Sequence, residues 1–217
     1  PELAGAAVVI WTTTPWTIPG NRAVAYGSEI EYALIEVTDP GEAKWAKVDE
    51  KLVVAAKLVE SVTKAARIAA VKTLATFTGE ALAGTIVKHP LHGLAPGAAY
   101  DFDVPLYPGD FVTAEDGTGF VHIAPGHGED DFNLGQKHGL PVPQTVGEDG
   151  LFYSHVPLFA GTSVYTAEGK EGTANEAIIA KLIEAGALLA RGKRVHAYPC
   201  SWRSKAPLIF RNTPQWF

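Results

Sequence analysis

Two short segments of the chain hold the residues that could do chemistry on a small polar ligand. In the first, hydroxyl side chains occupy four of six successive positions from Thr12 to Thr17, where an apolar run meets Pro15 and Pro19. Held rigidly at a strand end, such hydroxyls offer hydrogen-bond donors and acceptors to a ligand. An ordinary Thr-rich strand end has the same pattern, because threonine is common in strands and turns.

The second segment leads from His122 through a bend rich in Gly and Pro to three successive carboxylates, residues 129–131. A cationic or polar small molecule could bind between the histidine and these acids. The alternative is purely structural. Asp130 and Asp131 would then serve the dipole of a helix that begins there, and His127, between two glycines, would be a solvated loop residue.

Composition narrows the classes of protein to consider. The 217 residues, 47% hydrophobic and 19% charged, suffice for one large domain or two small ones with a sizeable core. The net charge of -6 argues against a dedicated nucleic-acid binder, so any contact with RNA must be local. Apolar runs such as residues 3–11 are shorter than the roughly 20 residues that cross a bilayer, and no signal peptide is recognisable. We expect a soluble, cytoplasmic protein.

The single cysteine, Cys200, can form no internal disulfide and no cysteine-rich zinc site. The chain contains no Met and ends in the aromatic pair Trp216-Phe217, a pair usually buried inside a larger fold. We therefore expect residues 1–217 to be a single domain excised from a larger protein.

Local sequence patterns predict an α+β fold with a barrel-like core of short, mostly antiparallel strands and peripheral helices. Amphipathic or capped helices are predicted over residues 49–66, 129–137 and 175–185. Strands are predicted over residues 3–13, 23–26 and 32–37, within 68–107, in a hairpin over 111–123 that turns at Asp116-Gly117, and in a last pair near 194–198 and 208–211.

Taken together, the two chemical segments resemble the editing insertion shared by isoleucyl-, valyl- and leucyl-tRNA synthetases. The motif TTTPWT (residues 12–17), followed by NRA (21–23), resembles the isoleucyl form; Thr14 stands where valyl and leucyl relatives typically have Arg. VHIAPGHGEDDF (121–132) also resembles the isoleucyl form, since the relatives tend to have Pro-Ala-His in the bend. Segments 201–203, 209–211 and 213–217 resemble the stretch where the insertion rejoins the synthetase body.

The resemblance implies hydrolysis of valine wrongly esterified to tRNA(Ile), with isoleucine excluded by its size. The implied partners are the 3′ end of tRNA(Ile) carrying valine and the rest of the synthetase chain, with no cofactor, no metal, no membrane and a monomeric state. His-Ile-Gly-His and Lys-Met-Ser-Lys-Ser, the ATP-handling signatures of this synthetase class, are missing from the sequence. Aminoacylation by these residues alone is therefore not expected.

The resemblance also assigns roles to individual residues. Asp131 would bind the α-ammonium group, and His122 would line the side-chain pocket and exclude the extra methylene. The catalytic residues would be Thr13, His122 and Asp131; the substrate-binding residues would be Thr12, Thr13, Thr14, Trp16, Asn21, His122 and Asp131.

No nucleophile set such as Ser-His-Asp or Cys-His can be assembled from these motifs, so we expect a bound water to attack the ester. What orients that water is left open among His122, a threonine hydroxyl and the ribose hydroxyl of the substrate.

Other functions remain open at this point. They are the editing domain of a valyl or leucyl enzyme, a non-catalytic tRNA-binding module and a metal-dependent hydrolase. A metal site is disfavoured because the close pair His89 and His92 lacks a third ligand at a recognisable spacing. A basic zone near the C-terminal end could contact tRNA phosphates. It could also be a solvated face or a surface that faces the synthetase body. Its residues are Arg191, Lys193, Arg194, Arg203, Lys205 and Arg211.

Overall fold

A computed structural model describes residues 2–192 and 197–213. Its strands are β1 (Ala7–Val8), β2 (Ala23–Tyr26), β3 (Glu31–Asp39), β4 (Lys51–Ala55), β5 (Ala70–Thr78), β6 (Ile86–Lys88), β7 (Asp103–Pro108) and β8 (Phe120–Ile123). They form two four-stranded sheets, ordered β1-β4-β3-β5 and β6-β7-β2-β8. β1 pairs parallel with β4 and β2 parallel with β7, while the other pairings are antiparallel.

Three α-helices accompany these sheets in the described part of the chain: α1 (Val59–Ala66), α2 (Glu129–Lys137) and α3 (Ala174–Glu184). Short 3₁₀ helices span Pro15–Gly20, Ala56–Leu58, Gly79–Leu82 and Pro96–Ala98. The α+β class with mostly antiparallel strands is therefore confirmed. The sheets of the described residues remain open, so a closed barrel is not confirmed. No helix among residues 2–192 and 197–213 is long and apolar enough to cross a membrane.

The predicted helix over residues 49–66 is wrong in its first half. Residues 51–55 form β4, which lies between β1 and β3, and Leu52 to Ala55 are buried without a polar face. A short apolar run fits one face of a helix and a strand buried on both faces equally well. Pairing with β1 and β3 decides that residues 51–55 form a strand. The helix begins later, at Val59.

The structure also corrects the two strand predictions that flank the candidate chemistry. Of residues 3–13, only Ala7 and Val8 are in a strand. The hairpin over 111–123 does not form, because its second half, β8, pairs with β2. β2 is distant in sequence, so this pairing left no local signal.

The last predicted strand pair is only partly described, because residues 194–196 lie outside the described ranges. Residues 208–211 are not a strand, although Tyr198 Oη donates to the carbonyl of Leu208 at 2.8 Å.

The main hydrophobic core lies between the two sheets. It joins side chains of β3 and β4, such as Tyr32 and Val53, to side chains of the second sheet, such as Leu106 and Phe120. Gly119 sits at this junction with φ +81°, and a Cβ there would lie 2.4 Å from Ala55 Cβ, so glycine is required for the close approach.

Two smaller clusters fix the elements that carry the candidate chemistry. Trp16 and Ile18 of the 3₁₀ helix pack with Phe159 and with Ile178 of α3. Leu134 of α2 packs against β2 and β8 through Ala23, Ala25 and Ile123. Both chemical segments are thus anchored to cores, which is what a preorganised site needs.

Candidate active site

The fold brings both chemical segments to one pocket of about 250 Å³. Of the predicted site residues, Thr12, Thr13, Thr14, His122 and Asp131 line it. The other lining residues are Trp11, Thr17, Val121, Ala124 and His127. β8 delivers His122, which lies opposite Val24 of β2, and the first turn of α2 delivers Asp131.

The threonine wall of the pocket is internally hydrogen-bonded. The backbone N–H of Thr14 donates to Thr12 Oγ1 at 3.0 Å, and the hydroxyls of Thr12 and Thr14 lie 3.3 Å apart. Thr17 Oγ1 donates to the carbonyl of Thr14 at 3.0 Å. The exposed hydroxyl of Thr13 has no hydrogen-bond partner in the part of the chain that the structure describes. Thr13 is thus the hydroxyl of this wall best placed to bind a ligand or a water.

His122 is almost fully buried, at 8% exposure, and both of its ring nitrogens are hydrogen-bonded. Nε2 lies 2.7 Å from Thr17 Oγ1, and Nδ1 lies 2.9 Å from Asn21 Nδ2. Burial, with a smaller contribution from nearby His127, lowers the pKa of His122 to about 4. The ring is therefore neutral at physiological pH.

Asp131 presents its carboxylate to the pocket. The N–H of Ala124 donates to Asp131 Oδ1 at 2.6 Å, while Oδ2 receives no hydrogen bond from any other described residue. Burial raises the pKa of Asp131 to about 6; the Ala124 hydrogen bond opposes this shift and the charge of Asp130 adds to it. Gly128 gives Oδ2 its space, because a Cβ there would lie 2.3 Å from that atom.

Trp16 and Asn21, which the resemblance placed in the substrate-binding set, are not among the lining residues. Trp16 is buried at 3% exposure, and its ring meets the edge of His127 at a centroid distance of 5.0 Å. Asn21, 2% exposed, lies behind His122 and hydrogen-bonds its Nδ1. Both residues contact lining residues instead of the cavity.

His127 is a lining residue, whereas the structural alternative for the second segment made it a solvated loop residue. Its Nδ1 donates to the carbonyl of Phe210 at 2.9 Å, and its Nε2 lies 2.6 Å from Thr145 Oγ1. Burial lowers the pKa of His127. Asn212 reinforces the contact with the C-terminal segment, since its N–H donates to the carbonyl of Gly126 at 2.9 Å. The residues around His127 in sequence do not indicate that it would contact Phe210 and Thr145.

The other histidines considered for a metal site are engaged elsewhere. His89 hydrogen-bonds Ile18 and Leu91, and His92 lies 3.8 Å from Asp101. Within residues 2–192 and 197–213, no group of three or more His, Cys, Asp or Glu side chains is arranged to hold a metal ion.

The basic zone is described only in part, because Lys193 and Arg194 lie outside the described ranges. Arg191 is paired with Glu176 in a short contact, and the Arg203 guanidinium lies over the Trp202 ring at 4.8 Å. The pairing of Arg191 reduces the charge that this zone offers to phosphates.

Comparison with known proteins identifies the class. Residues 6–181 match the family model described as the editing domain of leucyl-tRNA synthetase. The chain therefore belongs to the family of aminoacyl-tRNA synthetase editing domains, which confirms the resemblance carried by the two motifs.

Within this class, the chain is similar to isoleucine--tRNA ligases. It is 53% identical over 222 residues to that of Caulobacter vibrioides and 50% identical over 221 residues to that of Rhodopseudomonas palustris; each comparison covers 98% of this chain and 22% of the relative. The chain thus spans about a fifth of the length of these relatives. The leucyl-tRNA synthetase editing domain of P. falciparum has a TM-score of 0.47 and 13% identity to this chain, covering 63% of it and 49% of that structure.

Proposed function

We propose that this chain is the editing domain of an isoleucyl-tRNA synthetase and that its pocket hydrolyses valine esterified to tRNA(Ile). The convergence of Thr13, His122 and Asp131 on one pocket is the observation that supports the proposal most directly. Isoleucine and valine differ by one methylene, worth only about 1–3 kcal/mol in a pocket, a limit for which the isoleucyl enzyme itself is the standard example. A second site that admits only the smaller side chain overcomes that limit.

Asp131 binds the α-ammonium group of the esterified valine in this proposal. Its Oδ2 points into space kept open by Gly128, and the carboxyl remains ionised at neutral pH because its pKa lies at about 6. A carboxylate that is largely removed from water forms a strong, charge-assisted hydrogen bond with an ammonium group. The contact fixes one end of the substrate relative to the threonine wall.

His122 serves as the size filter. The ring is neutral, buried and hydrogen-bonded at both nitrogens, so it forms a fixed wall that resists the additional methylene of isoleucine. Asn21 contributes through His122, and Trp16 contributes through His127 and the packing of the 3₁₀ helix. Neither needs to contact the substrate.

Hydrolysis then requires a water whose oxygen attacks the acyl carbon while the ester C–O bond breaks and the ribose oxygen takes up a proton. The engagement of both His122 nitrogens disfavours this ring as the base. The hydroxyl of Thr13, exposed in the pocket and without a described partner, and the ribose hydroxyl of the substrate remain to orient the water. Positioning and preorganised donors can suffice, because an aminoacyl ester is already activated.

The partners follow from the same proposal. They are the valine-charged 3′ end of tRNA(Ile) and the remainder of the synthetase, in the cytoplasm. The proposal further includes a monomeric state, and its mechanism uses neither a metal nor another cofactor.

The test compares two neighbouring acids of the same helix turn in the 217-residue chain. Asp131→Ala should slow deacylation of valyl-tRNA(Ile) by about 100-fold, because losing a hydrogen bond to a charged group costs roughly 1.5–3 kcal/mol. Asp130→Ala is the matched control, since Asp130 is exposed; it should stay within about threefold of the parent at pH 7.5.

Equal activity of Asp131→Ala and the parent would contradict the assignment. Loss of activity in a chelator would favour a metal-dependent hydrolase instead. Tight, salt-dependent tRNA binding with an intact ester would favour a non-catalytic binding module.

A further inference from the structure

A segment near the C-terminal end contacts the bend of the candidate site, and the function proposed above gives this contact no role. We call the segment, residues 210–212, the strap. The carbonyl of Phe210 accepts a hydrogen bond from His127 Nδ1 at 2.9 Å. The N–H of Asn212 donates to the carbonyl of Gly126 at 2.9 Å. Two hydrogen bonds therefore join the strap to neighbouring residues of the bend.

The strap lies close against Gly126. A Cβ added there would lie 3.1 Å from Asn212 Oδ1 and 2.9 Å from the carbonyl oxygen of Pro143. The φ angle of Gly126 lies outside the left-handed region, so an alanine could adopt this backbone conformation. The close approach of the strap and of Pro143, and not the backbone conformation, therefore requires glycine at this position.

The ring of His127 joins the strap to a third segment. Its Nδ1 faces the carbonyl of Phe210, which can only accept a hydrogen bond, so Nδ1 carries a proton. Burial lowers the pKa of His127, so the ring is neutral and its Nε2 has a free electron pair. Thr145 is 4% exposed, and its Oγ1, 2.6 Å away, donates to Nε2. Hydrogen bonds at both nitrogens thus hold the ring between the strap and Thr145.

The turn that His127 closes also holds the carboxylate of Asp131. The N–H of His127 donates to the carbonyl of Ala124 at 2.8 Å, which closes a tight turn over residues 124–127. The N–H of Ala124 donates to Asp131 Oδ1 at 2.6 Å. The first residue of the turn therefore orients the carboxylate, and the last residue is anchored to the strap.

We infer that His127 is a positioning residue through which the strap and Thr145 hold the turn over residues 124–127, so that binding of the substrate ammonium group by Asp131 depends on the docked strap. The inference rests on the proposed function, in which Asp131 binds this group. While the ring is bonded at both nitrogens, the turn has one position and the N–H of Ala124 stays on Oδ1. Without the strap the turn can move, and the carboxylate loses the hydrogen bond that orients it.

The first experiment compares His127→Phe with His127→Asn in the 217-residue chain. Phenylalanine keeps a ring that packs against Trp16 but forms no hydrogen bond, whereas asparagine places an amide N–H near the site of Nδ1 and can still donate to Phe210. The measured quantities are KM and kcat for deacylation of valyl-tRNA(Ile). His127→Phe should raise KM by about tenfold with kcat within about threefold of the parent, because a misplaced carboxylate binds the ammonium group less well. His127→Asn should stay within about threefold of the parent in both quantities.

His155→Phe is the matched control for the loss of a histidine that bonds a backbone carbonyl. His155 is exposed, stacks on the ring of Tyr153, and its Nε2 lies 2.9 Å from the carbonyl oxygen of Gln144. The control should leave KM unchanged. If His127→Phe left KM unchanged as well, or if His127→Asn raised KM as much as His127→Phe, the inference would be overturned.

A double variant tests whether His127 acts through Asp131. In the Asp131→Ala background, adding His127→Phe should change kcat/KM by less than about twofold, because the carboxylate that the turn orients is already absent. A loss of about tenfold in that background, equal to the loss in the parent, would show that the ring acts on the substrate independently of Asp131 and would overturn the inference.

Hydrogen exchange gives a readout that does not depend on hydrolysis. The N–H groups of Ala124 and Asn212 should exchange with solvent at least about tenfold faster in His127→Phe than in the parent, because the turn and the strap separate more often. Gly126→Ala should have the same effect with His127 intact, since its Cβ displaces the strap. Exchange at Ala124 as slow as in the parent in both variants would overturn the inference. If the parent did not hydrolyse the valyl ester, the proposed function would fail, and the exchange rates would still decide whether the strap holds the turn.

Discussion

Two buried histidines hold adjacent residues of the same 3₁₀ helix, and only one of them borders the pocket. His89 Nε2 donates to the carbonyl of Ile18 at 3.1 Å, and its Nδ1 accepts from the N–H of Leu91 at 3.1 Å. His122 is likewise hydrogen-bonded at both ring nitrogens, with Thr17 Oγ1 at Nε2 and Asn21 Nδ2 at Nδ1. Burial lowers the pKa of both rings, to about 3 for His89 and about 4 for His122.

The surroundings of the two rings differ. His89 is enclosed by aromatic side chains, with the rings of Tyr100 and Phe102 at centroid distances of 4.8 Å and 5.2 Å. His122 has polar side-chain partners and one side toward the cavity. Complete hydrogen bonding, a lowered pKa and deep burial are therefore common to both rings. Only contact with the cavity separates His122 from His89.

The largest expected effect is on stability, and it separates the two histidines. His89→Ala should lower the free energy of unfolding by roughly 3–5 kcal/mol. The substitution leaves a closed cavity, and the carbonyl of Ile18 and the N–H of Leu91 lose their hydrogen-bond partner. His122→Ala should cost only about 1–2 kcal/mol, because water from the pocket can reach the groups that lose a partner. Denaturant unfolding of both variants measures the difference. Equal losses would break the distinction between an enclosed ring and one that borders a cavity.

A smaller effect, on substrate selectivity, should sharpen the comparison. His122→Ala should let the chain deacylate isoleucyl-tRNA(Ile), which would reduce its preference for the valyl ester by about 10–200-fold, the range that one methylene provides in a well-fitted pocket. His92→Ala is the matched control, because His92 is an exposed histidine that lies near Asp101 and outside the pocket lining. Paired deacylation assays with the two charged tRNAs give the ratio. If the isoleucyl ester remained intact with His122→Ala, His122 would not be the size filter.

The smallest expected effect is on pH dependence, and it arises from Asp131. The pKa of its carboxyl is raised to about 6, so the ionised form that binds ammonium is lost as the pH falls through 6. Deacylation should then decrease by about tenfold per pH unit below that point. The rings of His89 and His122, with pKa values of about 3 and 4, cannot produce a decline near pH 6.

Asp130→Ala tests this assignment, because the charge of Asp130 contributes to raising the pKa of Asp131. The decline should move to lower pH in this variant. A pH–rate profile identical to that of the parent would show that another group controls the decline. The pKa of Asp131 is higher in the folded chain than in the unfolded chain. The folded state therefore loses stability as this carboxyl ionises and the pH rises through about 6.

Several features of this protein could be predicted from its sequence because their signals are local. The acidic first turn and the glycine after the last turn predicted α2, and its predicted limits, residues 129–137, are those of the structure. α3 was predicted at 175–185 and spans Ala174–Glu184, while β2 was predicted at its observed limits of residues 23–26. The two motifs likewise placed Thr12 to Thr14, His122 and Asp131 in one site, and all of them line one pocket.

Tertiary structure alone decided what distant segments do to one another. Residues 51–55 became a strand because β1 and β3 lie on either side of them, and β8 paired with β2 instead of forming a hairpin. Thr17 became a hydrogen-bond partner of His122 only through a contact between residues 105 positions apart in sequence. The raised pKa of Asp131 arises from burial, which exists only in the folded chain. Residue type and spacing thus determined which groups could take part, whereas long-range packing determined which are held, buried or left open to a ligand.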